Sequence, residues 1–546
     1  MTMSDTNDGD RPLVVTDRLG TVPHTWTEVP GDATSTLAFG VGYRDLTPRT
    51  AGLTHLVEHL VMHRVGPVAL RHNAESGTSH TSFYASGNAA ARADFLERVA
   101  AAVSGLDDVG ADELEVVRGA VLAEVGRDGL HVARDPLGLR YGLAGLGVQA
   151  ANHARLMDWT ADEVVTLSRE RFHAGNAHVS STSALPTGFQ LHLPAGGRVT
   201  RVAHPADALT GRTWSALSGP GVTFAGTVPH VREESVVAFA VRVVGYALHE
   251  TLRSRLGHVY SVDEFGGVVD DDGTHWAFTL DPPDTAVDSV VVHGIGVLQE
   301  LATAGPRPEH LEHARATAEH DLSATSSLAS WLDWAAVGSL RGRDVPTIDQ
   351  ELRAVRSATA DDVRSVVVEL LRTMLVGTSF DHEIGPEAEA ALSGFGAVPR
   401  PPFPDPLGRE PDEVAQALLP RGMRAAMRSG MTSYHGRRSR DASGQVVFMR
   451  PECLILAEPG MVTVVPYDEV VLAGIDADGE VELAGARGDV LWLDPADFKG
   501  LTHDQLLAHV PADVIYRKDG PATAEPRSTT ARGSRRWRTS SRGSSA

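Results

Sequence analysis

Six prolines, Pro399, Pro401, Pro402, Pro404, Pro406 and Pro411, crowd one short stretch late in the chain. Each lacks a backbone donor and fixes φ, so neither a helix nor a central strand can run through them. Whatever the chain folds into must divide there, and the patterning changes at that point. Before the cluster, two stretches of similar size, 12–205 and 212–395, each begin with strand-like segments and continue into amphipathic helices. Leu37 to Val41 reads as a strand, and Phe95, Leu96, Val99 and Val103 form a helical stripe. After it, Cys453 to Ala457, Val462 to Val465, Val470 to Ile475, Val481 to Leu483 and Val490 to Leu493 read as short strands between turn residues, followed by a helix-like stretch near Leu506. The expected class is α+β. The expected divisions are 12–205, 212–395, a Pro-rich linker and irregular segment at 396–445, a small β-rich domain at 446–517, and a disordered tail at 518–546 rich in Ser, Arg, Thr and Gly.

A chain of 546 residues exceeds what one hydrophobic core organises, which agrees with several domains. With 49 basic against 71 acidic residues the net charge is −22, the wrong sign for a nucleic-acid binder. The one cysteine, Cys453, rules out an internal disulfide and a cysteine-based zinc cluster, so any metal must sit on histidines and carboxylates. Met1 to Pro12 is polar and acidic, without the pattern of a signal peptide, and no window is expected to reach the apolar length that spans a bilayer. The expectation is a cytoplasmic protein.

The segment that carries chemistry is Gly52-Leu-Thr-His55-Leu-Val-Glu58-His59-Leu-Val-Met62. On a helix, residues three and four apart share a face, so His55, Glu58 and His59 project together. Leu53, Leu56, Val57, Leu60 and Val61 take the other side. Two imidazoles one turn apart can reach a single tetrahedral zinc, and a carboxylate beside them can take a proton from water. By chance alone the HxxEH string turns up in roughly one chain in fifteen of this length, so a third donor is needed to give it weight. Downstream, Leu114, Val117, Val121 and Val125 form another helical stripe with Glu124 at its margin, where a cation would satisfy a carboxylate brought toward a core.

These residues carry a resemblance. Gly42-Tyr-Arg-Asp45, the segment Gly52 to His59, and Val121-Leu-Ala-Glu124-Val125 resemble the pitrilysin/insulinase family of inverted-motif metallopeptidases. The resemblance implies that His55, His59 and Glu124 bind Zn2+ and that Glu58 is the general base. Asn73 and Ala74 are similar to the family's substrate-binding edge strand, and Leu252 to Tyr260 resembles the segment whose arginine and tyrosine, here Arg253 and Tyr260, position substrate and stabilise an oxyanion. It further implies two similar α/β peptidase halves forming a clamshell, a peptide substrate, and a homodimer or a heterodimer with a related subunit; the alternative is a catalytically weak or silent subunit that only holds peptide. The chain departs from the family in two places: the spacing between His59 and Glu124 is short, and Val117 stands where an auxiliary glutamate is common. The C-terminal β pattern is similar to a pleckstrin-homology-like module.

Overall fold

The computed structural model describes residues 14–199, 211–229, 234–270, 273–379, 382–400, 432–437, 444–458 and 461–520. Its first part contains strands β1 (Val15–Leu19), β2 (Val22–Trp26), β3 (Thr34–Phe39), β4 (Arg71–Ser76), β5 (Thr81–Ser86) and β6 (Ala177–Ser181). Helices α1 (Leu53–Val65), α2 (Ala89–Ser104), α3 (Ala111–Val125), α4 (Pro136–Tyr141) and α5 (Ala161–Arg171) accompany them. The sheet order is β1-β2-β6-β3-β5-β4, with β2 and β6 parallel and β4 at the edge. Alternation along β3 and β6 sends Leu37, Phe39 and Val179 into a core shared with Phe95, Leu96 and Val99 of α2. Thr36, Ala38, His178 and Ser180 point to the opposite face.

The second part repeats this plan. Strands β7 (Thr213–Leu217), β8 (Val222–Pro229), β9 (Val262–Asp270), β10 (Gly273–Leu280), β11 (Leu375–Ser379) and β12 (Val398–Pro399) pair in the order β12-β7-β11-β8-β10-β9. The parallel pair β7–β11 and the antiparallel pairs β8–β11, β8–β10 and β9–β10 match β2–β6, β3–β6, β3–β5 and β4–β5. The helices are α6 (Glu234–Leu248), α7 (Val287–Thr303), α8 (Pro308–Ser323), α9 (Thr325–Leu340), α10 (Ile348–Ser357), α11 (Ala360–Arg372) and α12 (Pro386–Phe395). A π-helical turn, His249–Arg255, prolongs α6.

Contrary to the sequence-based expectation, one segment does meet the requirement for a bilayer-crossing helix by length and composition. Glu234–Arg255 spans 22 residues and contains an 18-residue window of mean hydropathy 1.2, because its few charges lie mostly near its ends. Its apolar residues, among them Val237, Phe239, Val241, Val244 and Leu248, are packed into the second core.

The two halves interlock by exchanging cover. Helix α9 lies across β2, β3 and β6 on the polar face of the first sheet, where Asp333 accepts hydrogen bonds from Ser180 and Thr36. In return, α4 of the first half lies on the second sheet. Arg140 Nε donates to Thr227 Oγ1 at 2.8 Å, and the Tyr141 hydroxyl lies 2.7 Å from the same oxygen and 2.9 Å from His275 Nδ1. A buried ion pair, Arg341–Asp45 at 3.0 Å, joins the end of α9 to the first half.

The C-terminal part holds β13 (Thr432–His435), β14 (Val446–Met449), β15 (Cys453–Glu458), β16 (Met461–Pro466), β17 (Val470–Ile475), β18 (Val481–Gly485), β19 (Val490–Leu493) and β20 (Ile515–Arg517). They form two four-stranded sheets, β13-β14-β15-β16 and β19-β18-β17-β20. The helix near Leu506 is a single turn, α13 (His503–Leu506). Strand β13 falls within the segment expected to be irregular. Lys518, expected to open the tail, is buried against Glu482 and lies 2.7 Å from His131 Nδ1. Residues 401–431, with most of the prolines, and 521–546 lie outside the described residues.

This part is docked on the first half. Leu472, Ala484, Val490 and Tyr516 join the first hydrophobic core, and Leu143 N donates to the Ala486 carbonyl at 2.8 Å. A Cβ at Gly142 would lie 2.3 Å from that carbonyl oxygen, so only glycine permits the approach. Arg400 and Asp489, nearly unexposed and 2.9 Å apart, add a second fastening next to β12.

Candidate metal centre

Helix α1 is surrounded by α2, α3, α5 and β4, which buries Leu53, Leu56, Val57, Leu60 and Val61 as its pattern requires. His55 and Glu58 are also buried, and His59 is partly exposed. The helix starts at Gly52 in the left-handed region, φ 83. Helix α3 buries Leu114, Val117 and Val121, which leaves Glu124 on its exposed margin, turned toward α1. Arg64 of α1 clamps the two helices together through paired 2.7 Å hydrogen bonds from Nε and Nη2 to Glu113.

His59 Nε2 lies 3.1 Å from His55 Nε2 and 3.1 Å from Glu124 Oε2, and His55 Nε2 lies 3.6 Å from Glu124 Oε1. Donors that each sit ~2.0–2.2 Å from one tetrahedral zinc are ~3.3–3.6 Å apart, so these approaches, the two at Glu124 made by different carboxylate oxygens, are of the size a three-ligand site with a position left over requires. Among the described residues these are the three that form a metal-sized group. Glu58 Oε2 is 3.9 Å from His55 Nε2. Burial, reinforced by Glu124 and Glu75, pushes the Glu58 carboxyl up to about 8. Burial and the neighbouring His59 hold His55 below its ordinary value, against the pull of Glu124. A cation among these groups would reverse the logic and favour their unprotonated forms.

The centre opens into a cavity of about 620 Å³. Asn73, Ala74, Glu75 and Ser76 of the edge strand β4 line one side, with Tyr43 and Met62 beside them. Residues 66–70 alone connect α1 to β4, and none of them is helical. Three contributors were not assigned to the site from the sequence, although Tyr43 belongs to the Gly42-Tyr-Arg-Asp45 stretch that carries the resemblance. Glu75 sits on the edge strand, Tyr43 lies in the loop after β3, and His153 is 98 residues from His55 yet 2.7 Å away, Nε2 to Nδ1. Glu75 at least adjoins Asn73 and Ala74; no local pattern marks His153. Burial, then the neighbouring His55 and His59, depress His153 to about 3. His63, His72 and His80 do not join the metal-sized group.

The expected arm does not reach this site within the chain. Among the described residues, those lining the cavity all come from the first half. Arg253 lies in the π-helical turn with its guanidinium 4.8 Å from the centre of the Tyr260 ring, and Tyr260 is 75% exposed. With the halves packed as α4 and α9 join them, Arg253 and Tyr260 are both solvent-exposed and neither lines the cavity. A second arrangement of catalytic appearance, Asp17–His24–Ser181 at 2.8 and 3.2 Å, is closed to substrate, since His24 and Ser181 are 2% and 1% exposed.

No protein-family model and no curated protein matches the chain. Solved structures do match it. A protease from Helicobacter pylori aligns with a TM-score of 0.54 at 14% identity, over 67% of this chain and 99% of its own. The inactive domain of an M16 peptidase from Pseudomonas fluorescens gives 0.55 at 12%, over 68% and 99%. Pitrilysin gives 0.53 at 16%, over 73% of this chain and 51% of its own. The likeness is one of fold, and the fold is the pitrilysin/insulinase type.

Proposed function

We propose that a chain with this fold and this cluster is a zinc-dependent endopeptidase acting on short or unfolded peptides, such as leader or processing peptides. The observation that carries the reading is the convergence of His55, His59 and Glu124, with the two Nε2 atoms 3.1 Å apart, Glu124 Oε2 3.1 Å from His59, Glu124 Oε1 3.6 Å from His55, and Glu58 beside them. His55, His59 and Glu124 would hold the zinc ion, whose chemistry there would be to acidify a water near neutrality and to polarise a carbonyl. Glu58 takes the proton of the attacking water and returns it to the leaving amine. The exposed edge β4 offers main-chain groups around Asn73 and Ala74 to an extended peptide, which binds as an added strand. A cytoplasmic location agrees with a single, buried thiol.

In this reading Tyr260 donates to the oxyanion and Arg253 orients the peptide, but both are supplied by a second subunit, identical or related. Two features support that assignment: neither arm residue lines its own chain's cavity, and Leu256, Tyr260 and Phe265 stand exposed close together in sequence. The absence of the arm from the cavity lining also favours a second reading. A chain that meets no complementary subunit would bind peptide without cutting it.

Incubating the wild type and Glu58→Gln with a peptide library and following cleavage by mass spectrometry separates the two. The enzyme reading expects zinc to be retained and cleavage to slow by at least about a hundredfold in the variant. Equal rates would remove Glu58 from the mechanism, and no cleavage by either protein would favour the peptide-holding subunit.

A further inference from the structure

We propose that His153 is a positioning residue that fixes the tautomer and orientation of His55 by accepting the proton on its Nδ1. This rests on the zinc reading above. A neutral imidazole has one lone pair to give, and its other nitrogen carries a proton that needs an acceptor once buried. His55 Nε2 faces His59 and Glu124, so the proton belongs on Nδ1, and the atom 2.7 Å from Nδ1 is His153 Nε2. The rings meet edge to face, with centroids 4.9 Å apart and planes at 65°, so the contact is a hydrogen bond and not a stack. Metal-bound histidines are usually steadied in this way by a carboxylate or carbonyl; here a neutral ring does it and adds no charge.

The backbone is shaped to hold that ring in place. Among the described residues His153 is the one non-glycine at positive φ, 66°. Such strain persists only where surrounding packing enforces it. The enforcing contact is Gly52 at the start of α1, where a Cβ would lie 2.7 Å from His153 N and 2.5 Å from Asn152 Oδ1. The missing side chain lets the turn at Asn152 and His153 sit directly against the helix that carries His55. In the opposite polarity His153 would donate, the proton of His55 would move to Nε2, and the metal would lose that ligand.

The test uses the full-length protein, metal-free and zinc-loaded, with His153→Leu to remove the acceptor and His153→Gln to offer a carbonyl in its place. Nitrogen-15 NMR of the metal-free wild type should show His55 protonated on Nδ1. Chelator competition should show zinc affinity falling 10–100-fold in His153→Leu and largely recovered in His153→Gln. Cobalt substituted for zinc should give an altered visible spectrum in the leucine variant alone. His55 protonated on Nε2 in the wild type, or unchanged zinc affinity in a folded His153→Leu, would overturn the proposal. A wild type that takes up no zinc would instead overturn the functional reading, and the NMR of the metal-free protein would still decide the tautomer. Should His153→Leu not fold, that same spectrum decides.

Discussion

At Gly52 the backbone is left-handed and the space a methyl group would need is filled by Asn152 and the His153 backbone. Gly52→Ala should therefore lose on the order of 2 kcal/mol of stability or more in urea unfolding, and a variant as stable as the wild type would show that the turn can retreat freely. Glu58 supports a different measurement. With its carboxyl at about 8 it is mostly protonated at pH 7, whereas a neighbouring cation favours the ionised form. Zinc binding at pH 7, followed calorimetrically in buffers of different ionisation enthalpy, should release close to one proton more from the wild type than from Glu58→Gln. The residues tied to one helical face were legible in the sequence: three-and-four spacing brings His55, Glu58 and His59 together, and a stripe margin marks Glu124. His153 was not, because a loop delivers it and loops leave no periodic trace.

Elements carry the joining of the halves. Helices α2 and α3 could be read from their stripes, since each buries an apolar face within its own half. The crossing of α9 and α4 could not, because the surfaces they cover are rich in Thr, Ser and His and pair over long sequence distances. His275 lies at one of these crossings, fully buried under Tyr141. Burial, aided by Arg140, depresses it to about 3 from an ordinary 6.5. The unfolded chain therefore binds a proton that the folded one refuses, and the stability present above pH 6.5 is lost as pH falls toward 3. Between pH 7 and 5 this one group should cost up to about 2 kcal/mol, measured by urea unfolding. A pH-independent midpoint would contradict it, and His275→Gln should remove part of the slope.

For the whole molecule the decisive feature is that one chain carries both a metal-sized cluster and an arm that does not line the cavity beside it. Repetition of the fold was visible as two stretches of similar pattern, but not which surfaces of the repeats would meet, since that depends on non-local packing. If a second copy supplies the arm, Glu58→Gln and Tyr260→Phe should each be nearly inactive alone, while their mixture should regain about a quarter of wild-type activity. Half of randomly paired dimers are then mixed, and each mixed dimer keeps one intact site. No recovery after subunit exchange would count against the shared site between like subunits. Beneath all of this lies the metal, and the most direct test is zinc content per chain in purified wild type and Glu124→Ala, measured by elemental mass spectrometry after reconstitution and dialysis. Close to one zinc per wild-type chain and a marked loss in the variant are expected. A wild type that remains zinc-free, or a variant that keeps its zinc undiminished, would contradict the zinc reading.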